Sequence, residues 1–151
     1  MKKIGEYTTR GTIVTDNALN RIILNDGNFE TGYRVVEFVI APHDMELQVV
    51  RAYTAKLMTD DDAAADARQW NWENNEEIGW ATYVWDANDI GAGNNFNQID
   101  PDNLIIEDLF LVGDEGVGQT DVKMNYYIRL EKYDITDSQA ALAMVRNRSQ
   151  A

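Results

Sequence analysis

From residue 122 to 133 the chain alternates with a period of two. Val122, Met124, Tyr126, Ile128 and Leu130 interleave with Lys123, Asn125, Tyr127, Arg129 and Glu131. Successive side chains on a strand point to opposite faces, so this pattern specifies a strand with one apolar and one solvated face. One-sided burial belongs to antiparallel sheets, because parallel sheets are covered on both faces. Similar signals recur at residues 5–14, 19–25, 33–40, 47–58 and 78–85, giving seven or eight strands with the stretches described here. Ala41-Pro42-His43-Asp44 and Asp26-Gly27 separate them as turns. Residues 104–112 are apolar on both faces and broken only by Glu107 and Asp108, which predicts a central strand or one with a face covered by a partner. No helical pattern long enough for a βαβ crossover lies between these segments. The expected fold is all-β: an antiparallel β-sandwich, jelly-roll-like, with long acidic loops and a short C-terminal helix.

Two regions do not read as strand. Residues 60–69 form one helical turn or a loop. In residues 136–151, Thr136 or Asp137 can cap a helix whose one face carries Ser138, Ala141, Leu142 and Val145, with Arg146 and Arg148 in its last turn. A chain of 151 residues reads as one domain. The division is therefore a sandwich over 1–135 and a helical tail over 136–151, packing on the sandwich or on a neighbouring subunit.

Charge is sharply segregated. Residues 59–121 hold 16 acids and a single base, Arg68, while the two flanks together hold 12 bases and 10 acids. All four tryptophans (Trp70, Trp72, Trp80, Trp85) fall in the acidic part. Such a surface repels nucleic acid phosphates, so no nucleic acid partner is expected. No run approaches the length of a membrane span, so no membrane partner is expected either. Met1-Lys2-Lys3-Ile4-Gly5-Glu6 lacks the apolar run of a secretory leader.

Catalytic chemistry is hard to assemble from these residues. The chain has no Cys, one His (His43) and only Ser138 and Ser149 as serines, which leaves no natural triad and no ordinary zinc site. With so many acids, some pair falls at glycosidase spacing by chance, and a glycan-active enzyme would need a cleft with two facing carboxylates. Gly91-Ala-Gly93 and the 113–118 glycines have no lysine beside them and are loop tips rather than phosphate cradles. Asp86, Asn88, Asp89 and Gly91 begin like a calcium loop, but Ile90 stands where an oxygen ligand is required and Asn97 where a bidentate Glu is, so an EF-hand is rejected. An irregular oxygen site among Asp86, Asn88, Asp89, Asp100 and Asp102 stays open as a metal candidate, and Asp60-Asp61-Asp62 is a second, weaker one. The expectation is no cofactor and no metal.

The tryptophans allow two readings. Aromatics on strands are usually core or interface anchors. Exposed rings can instead stack on sugars, which would make the chain a carbohydrate-binding β-sandwich module using Trp70, Trp72, Trp80 or Trp85. Ring exposure separates the two.

The stretch 104–112, then Asn125-Tyr-Tyr-Ile-Arg-Leu-Glu-Lys-Tyr133, then a short helix through Arg148, resembles the C-terminal part of small virion proteins of bacterial viruses. These are capsid decoration (cement) or minor head proteins, and the likeness spans about 45 residues. The resemblance implies a homo-oligomeric, non-catalytic protein made in the host cytoplasm and carried on a capsid shell in the virion. It transfers no functional residue. A chain that binds a shell through near-neutral β surfaces and exposes an acidic face fits the charge pattern. Leu104, Ile106, Phe110, Leu142 and Val145 are the expected oligomer or shell contacts.

Overall fold

The computed structural model of the chain describes residues 2–24, 30–44, 51–62, 64–85, 95–116 and 122–135, with the side chains of Arg51 and Trp85 excepted. The expected 136–151 tail helix, with Leu142 and Val145, and the candidate ligands Asp86, Asn88 and Asp89 lie outside these residues. Eight strands are present: β1 (Lys2–Val14), β2 (Asn20–Ile22), β3 (Thr31–Pro42), β4 (Arg51–Met58), β5 (Glu77–Trp85), β6 (Asn95–Ile99), β7 (Leu109–Glu115) and β8 (Lys123–Asp134). They form a three-stranded sheet in the order β1-β8-β3 and a five-stranded sheet in the order β2-β7-β4-β5-β6. Every pairing is antiparallel.

The alternation in β8 works as its pattern requires. Met124, Ile128 and Leu130 are fully buried, and Tyr126 packs against the same core. Phe38 and Val35 of β3 join them from one sheet; Tyr53, Ala55 and Leu57 of β4 and Leu109 and Leu111 of β7 meet them from the other. Two sheets thus close on one apolar core in a sandwich-like arrangement.

β7 is a central strand, with both faces covered from within this chain. Leu109 and Leu111 enter the main core, while Val112 and Phe110 pack on the opposite side with Met58, Ala65 and Ala67. The expected strand at 104–112 begins later than its apolar run. Residues 104–106 instead cross the end of β3, where Ile105 and Tyr33 exchange backbone hydrogen bonds of 2.7 and 2.8 Å. Ile105 points into the core; Ile106 packs beside Ile135, with Leu104 and Tyr133 against them.

Residues 60–76 form no helix among those described. They run as a loop of side-chain-capped turns, in which Asp62, Asp66, Asn71 and Asn74 each accept a hydrogen bond from the backbone N–H two residues on. Asn17 anchors this loop from the β1–β2 turn. It adopts a left-handed φ of 62°, which asparagine tolerates, and its side-chain oxygen accepts from Ala67 N at 2.8 Å.

The outer face of the three-stranded sheet is a polar ladder. Lys3 on β1 bridges to Glu131 on β8 at 2.6 Å, the Tyr133 hydroxyl donates to Glu131 at 2.8 Å, and Arg34 of β3 lies 5.3 Å over the Tyr133 ring. The hydrogen bond from Lys3, followed by that from Tyr133, holds the Glu131 carboxyl below the ordinary glutamate value of 4.5. The same contacts raise Lys3, chiefly through Glu131, and raise the Tyr133 hydroxyl above 10.0. A depressed carboxyl stabilises the fold above its unfolded pKa and loses that contribution as pH falls through the folded value. The raised groups act oppositely: their contribution is present below their ordinary values and fades as pH climbs through the folded ones. Stability should therefore be level near neutrality and sag at both ends. Glu131→Gln should flatten the acid limb below pH 4.5, measured as urea midpoints from pH 3 to 7. An unchanged acid limb in that variant would assign the slope to other carboxylates.

Candidate functional site: an aromatic groove

β4, β5 and β6 lie side by side, and their registers set rows across the sheet. Lys56, Trp80 and Gln98 share one row; Thr54, Thr82 and Phe96 share the next. Gly79 and Ala81, one residue off, face the core, where a Cβ on Gly79 would touch Leu57 and Phe38. Period two therefore sends Trp80, Gln98 and Phe96 to the outer face.

The 60–76 loop is fastened over this face beside them. Thr54 Oγ1 donates to Ala67 O at 2.9 Å, and Lys56 Nζ donates to Gln69 O at 2.9 Å. Trp70 Nε1 donates to Ala67 O at 3.1 Å, and its ring stacks on Phe96 with centroids 5.7 Å apart and planes at 28°. Trp72 leans on Trp80 at 5.7 Å and 58°.

Under the rings sits a buried ion pair. Lys56 and Glu77 are each 4% exposed, with Nζ 3.0 Å from Oε2. The other oxygen, Glu77 Oε1, accepts from Trp80 Nε1 at 3.0 Å and from Asn71 N at 2.9 Å. A carboxylate removed from water is tolerable only when its lone pairs are filled, and here three donors do so. The pair therefore fixes both the Trp80 ring and the turn that presents Trp72.

Above it opens a groove of about 510 Å³, lined by Trp72, Trp80, Phe96, Asn74, Gln98 and Asp100 among others. Trp80 is 6% exposed, Trp72 64% and Phe96 40%. The wall is thus aromatic, with amides and two carboxylates, Glu77 and Asp100, and no base lines it; Glu77 is the one already held by Lys56, Trp80 and Asn71.

The structure brings together three of the four sequence-predicted tryptophans. Trp85 ends β5, paired with Arg51 in the register. Phe96, Gln98, Lys56 and Glu77 were not expected at the site. The only available signal for Phe96 was an aromatic inside a polar Asn-rich run. Of the other candidates, Asp100 Oδ1 accepts from Asp102 N at 3.0 Å and so caps a turn. No cluster of three or more His, Cys, Asp or Glu suited to a metal occurs among the described residues. His43 is exposed, and its backbone N–H donates to Lys123 O at 3.2 Å. Leu104 and Ile106 pack inside the chain with Ile135, and Phe110 packs beneath the loop. The acidic middle is not all solvent-facing: Glu76, Glu77, Asp108 and Glu115 are buried. Asp108, for instance, pairs with Arg21 and accepts from Leu24 N at 2.9 Å. No helix among the described residues is long and apolar enough to cross a membrane.

Comparison with protein-family models, with curated proteins and with solved structures finds no match, so the geometry carries the functional argument by itself.

Proposed function

We propose that the chain is a non-catalytic structural protein of a virion, a capsid decoration or minor capsid protein. It seats on a shell through its three-stranded sheet and turns its acidic side outward. The observation that carries this reading is the division of charge between the two sides of the sandwich. β1, β3 and β8 together hold seven bases and four acids. The 60–76 loop, which lies on the five-stranded sheet, holds five acids besides the buried Glu76, and one base. A protein with two chemically different faces has a built-in orientation on a surface.

β1 adds the means of attachment. It is 13 residues long and, among the described residues, pairs only with β8. Its open edge offers backbone donors and acceptors to a neighbouring strand. Ile4 and Tyr7 stand 50% and 45% exposed along it, the kind of apolar contact that a shell or a second subunit would cover. Leu142 and Val145 are further proposed contacts to the shell or a second subunit.

The strand pairing supports a jelly-roll chassis. A jelly roll is a long hairpin folded over, in which the first strand pairs with the eighth, the second with the seventh, the third with the sixth and the fourth with the fifth. β1-β8, β2-β7 and β4-β5 follow that nesting. The departure is β6, which lies against β3 but hydrogen-bonds to β5, leaving a cleft of about 330 Å³ at the β3–β6 seam.

Arg10 and Lys123 are exposed on the basic sheet, with no ion pair to either among the described residues, so reversing both should leave the fold intact. The wild-type chain should form a discrete oligomer by light scattering at about tens of micromolar, burying roughly 1,200–2,000 Å² per contact. It should also sediment with virus particles that carry its gene, and Arg10→Glu/Lys123→Glu should release it. A chain that stays monomeric and remains in the supernatant would sink the reading.

A further inference from the structure

We propose that the aromatic groove is a binding site for a neutral glycan, with the Trp72 ring stacked on the apolar face of a pyranose. The groove lies on the outer face of the five-stranded sheet, away from the basic sheet, so the inference does not rest on shell binding.

The first argument is the exposure of Trp72. A ring of this size normally buries its area, yet Trp72 is 64% exposed while its neighbour Trp80 is 6% exposed. One tryptophan is packed as a floor and the other stands on it as an open platform. The groove of about 510 Å³ falls within the ordinary range for small-ligand sites. Its chemistry matches theirs as well: mostly apolar walls with a few polar groups at fixed places. Gln98 sits directly across from Trp80 in the strand register, and Asn74 and Asp100 complete the rim. Planar amides and carboxylates bond to adjacent hydroxyls, whereas the rings take the C–H face of the same sugar.

Charge selects the ligand class. No Lys or Arg lines the groove, so phosphate, sulfate and uronate groups meet only Asp100 and the surrounding acids. A quaternary ammonium needs rings boxed around it and an available carboxylate. Here Trp72 and Trp80 touch at 5.7 Å and form a step rather than a box. Of the two lining carboxylates, Glu77 is engaged by Lys56, Asn71 and Trp80, and Asp100 accepts from Asp102 N at 3.0 Å. An uncharged polyol with an apolar face satisfies what remains.

The rings around the platform are also fixed before any ligand arrives. Trp80 is held through Glu77, Trp70 through Ala67 O, and Phe96 by stacking on Trp70. Preorganised rings lose little freedom on binding, which suits a shallow site for a flexible chain.

The test is a titration of the intact chain with cellohexaose, maltohexaose, mannohexaose, xylohexaose and chitohexaose, followed by tryptophan fluorescence and calorimetry. At least one should give a saturable signal with Kd between about 10 µM and 1 mM. Trp72→Ala should weaken that binding by about tenfold or more, and Phe96→Ala by several-fold. The melting curve of Trp72→Ala should stay close to wild type because the ring is mostly in water, which separates lost binding from lost folding. Three results would overturn the proposal: no saturable response to any of the five sugars up to about 10 mM, equal affinity in Trp72→Ala, or saturation by tetramethylammonium in place of sugar.

Discussion

Lys56→Ala is expected to destabilise the protein by about 3–5 kcal/mol, because it leaves the Glu77 carboxylate buried without its counter-charge. Both groups are 4% exposed, so water cannot readily replace the lost ammonium. Gln69 O loses a donor in the same step. For a chain of this length the melting temperature should fall by roughly 10 °C. The paired control is Arg129→Ala. Its bridge to Glu37 at 3.1 Å joins side chains that are each 43% exposed, so solvent already screens it and the loss should stay under about 1 kcal/mol. Removing both buried charges is the sharper test. Lys56→Met/Glu77→Gln keeps the lysine stem's packing and retains an oxygen for Asn71 N and Trp80 Nε1, so it should recover at least half of the loss. A Lys56→Ala cost below about 1 kcal/mol would mean that water reaches the pair, and that the Trp80 and Trp72 rings do not depend on it.

The same pair shows why the site was only partly legible in the sequence. β8 could be read because its inner face meets one uniform core, and strict alternation records that. Lys56 and Glu77 sit 21 residues apart and look like ordinary surface charges. What buries them is the folding of the 60–76 loop back over β4 and β5, and no local pattern encodes a loop's return. Glu76, Asp108 and Glu115 likewise look like parts of a solvated acidic stretch but are inside, Asp108 against Arg21 and Leu24 N and Glu115 against Ala52 N. β6 was missed because its Asn-Phe-Asn-Gln-Ile run is exposed at a sheet edge, where neither face needs apolar residues. The double-sided apolar run at 104–112 was informative about burial, and of its two readings the central strand holds for β7. Phe110 and Val112 are covered by this chain's own loop, and residues 104–106 bend to bridge β3. The tryptophans could be singled out as a group by composition, but which rings meet depended on Trp70 and Trp72 lying on a loop, outside the parity that governs Trp80.

Phe38→Ala should be the most damaging single truncation in the core, costing about 3–5 kcal/mol. Phe38 is 1% exposed, pairs with Ile128 in the register of β3 and β8, and reaches across the sandwich to Gly79 on β5. It therefore joins the two sheets at the place where β5 presents no side chain of its own. Truncation leaves a void between sheets whose strands are pinned by their ladders, and pinned walls collapse poorly into a cavity. Gly79 supplies an internal check on that mechanism. A Cβ built there would lie 3.4 Å from both Leu57 Cδ1 and Phe38 Cδ2, the tight end of ordinary contact, and its backbone is not left-handed. Gly79→Ala alone should change stability by no more than about 1 kcal/mol. In the Phe38→Ala background the new methyl enters the vacated space, so the same change should be more favourable by about 0.5–1 kcal/mol. Urea denaturation of the four proteins closes the cycle. Strict additivity would show that the space left by Phe38 refills by sheet movement, and that the two sheets are held together elsewhere.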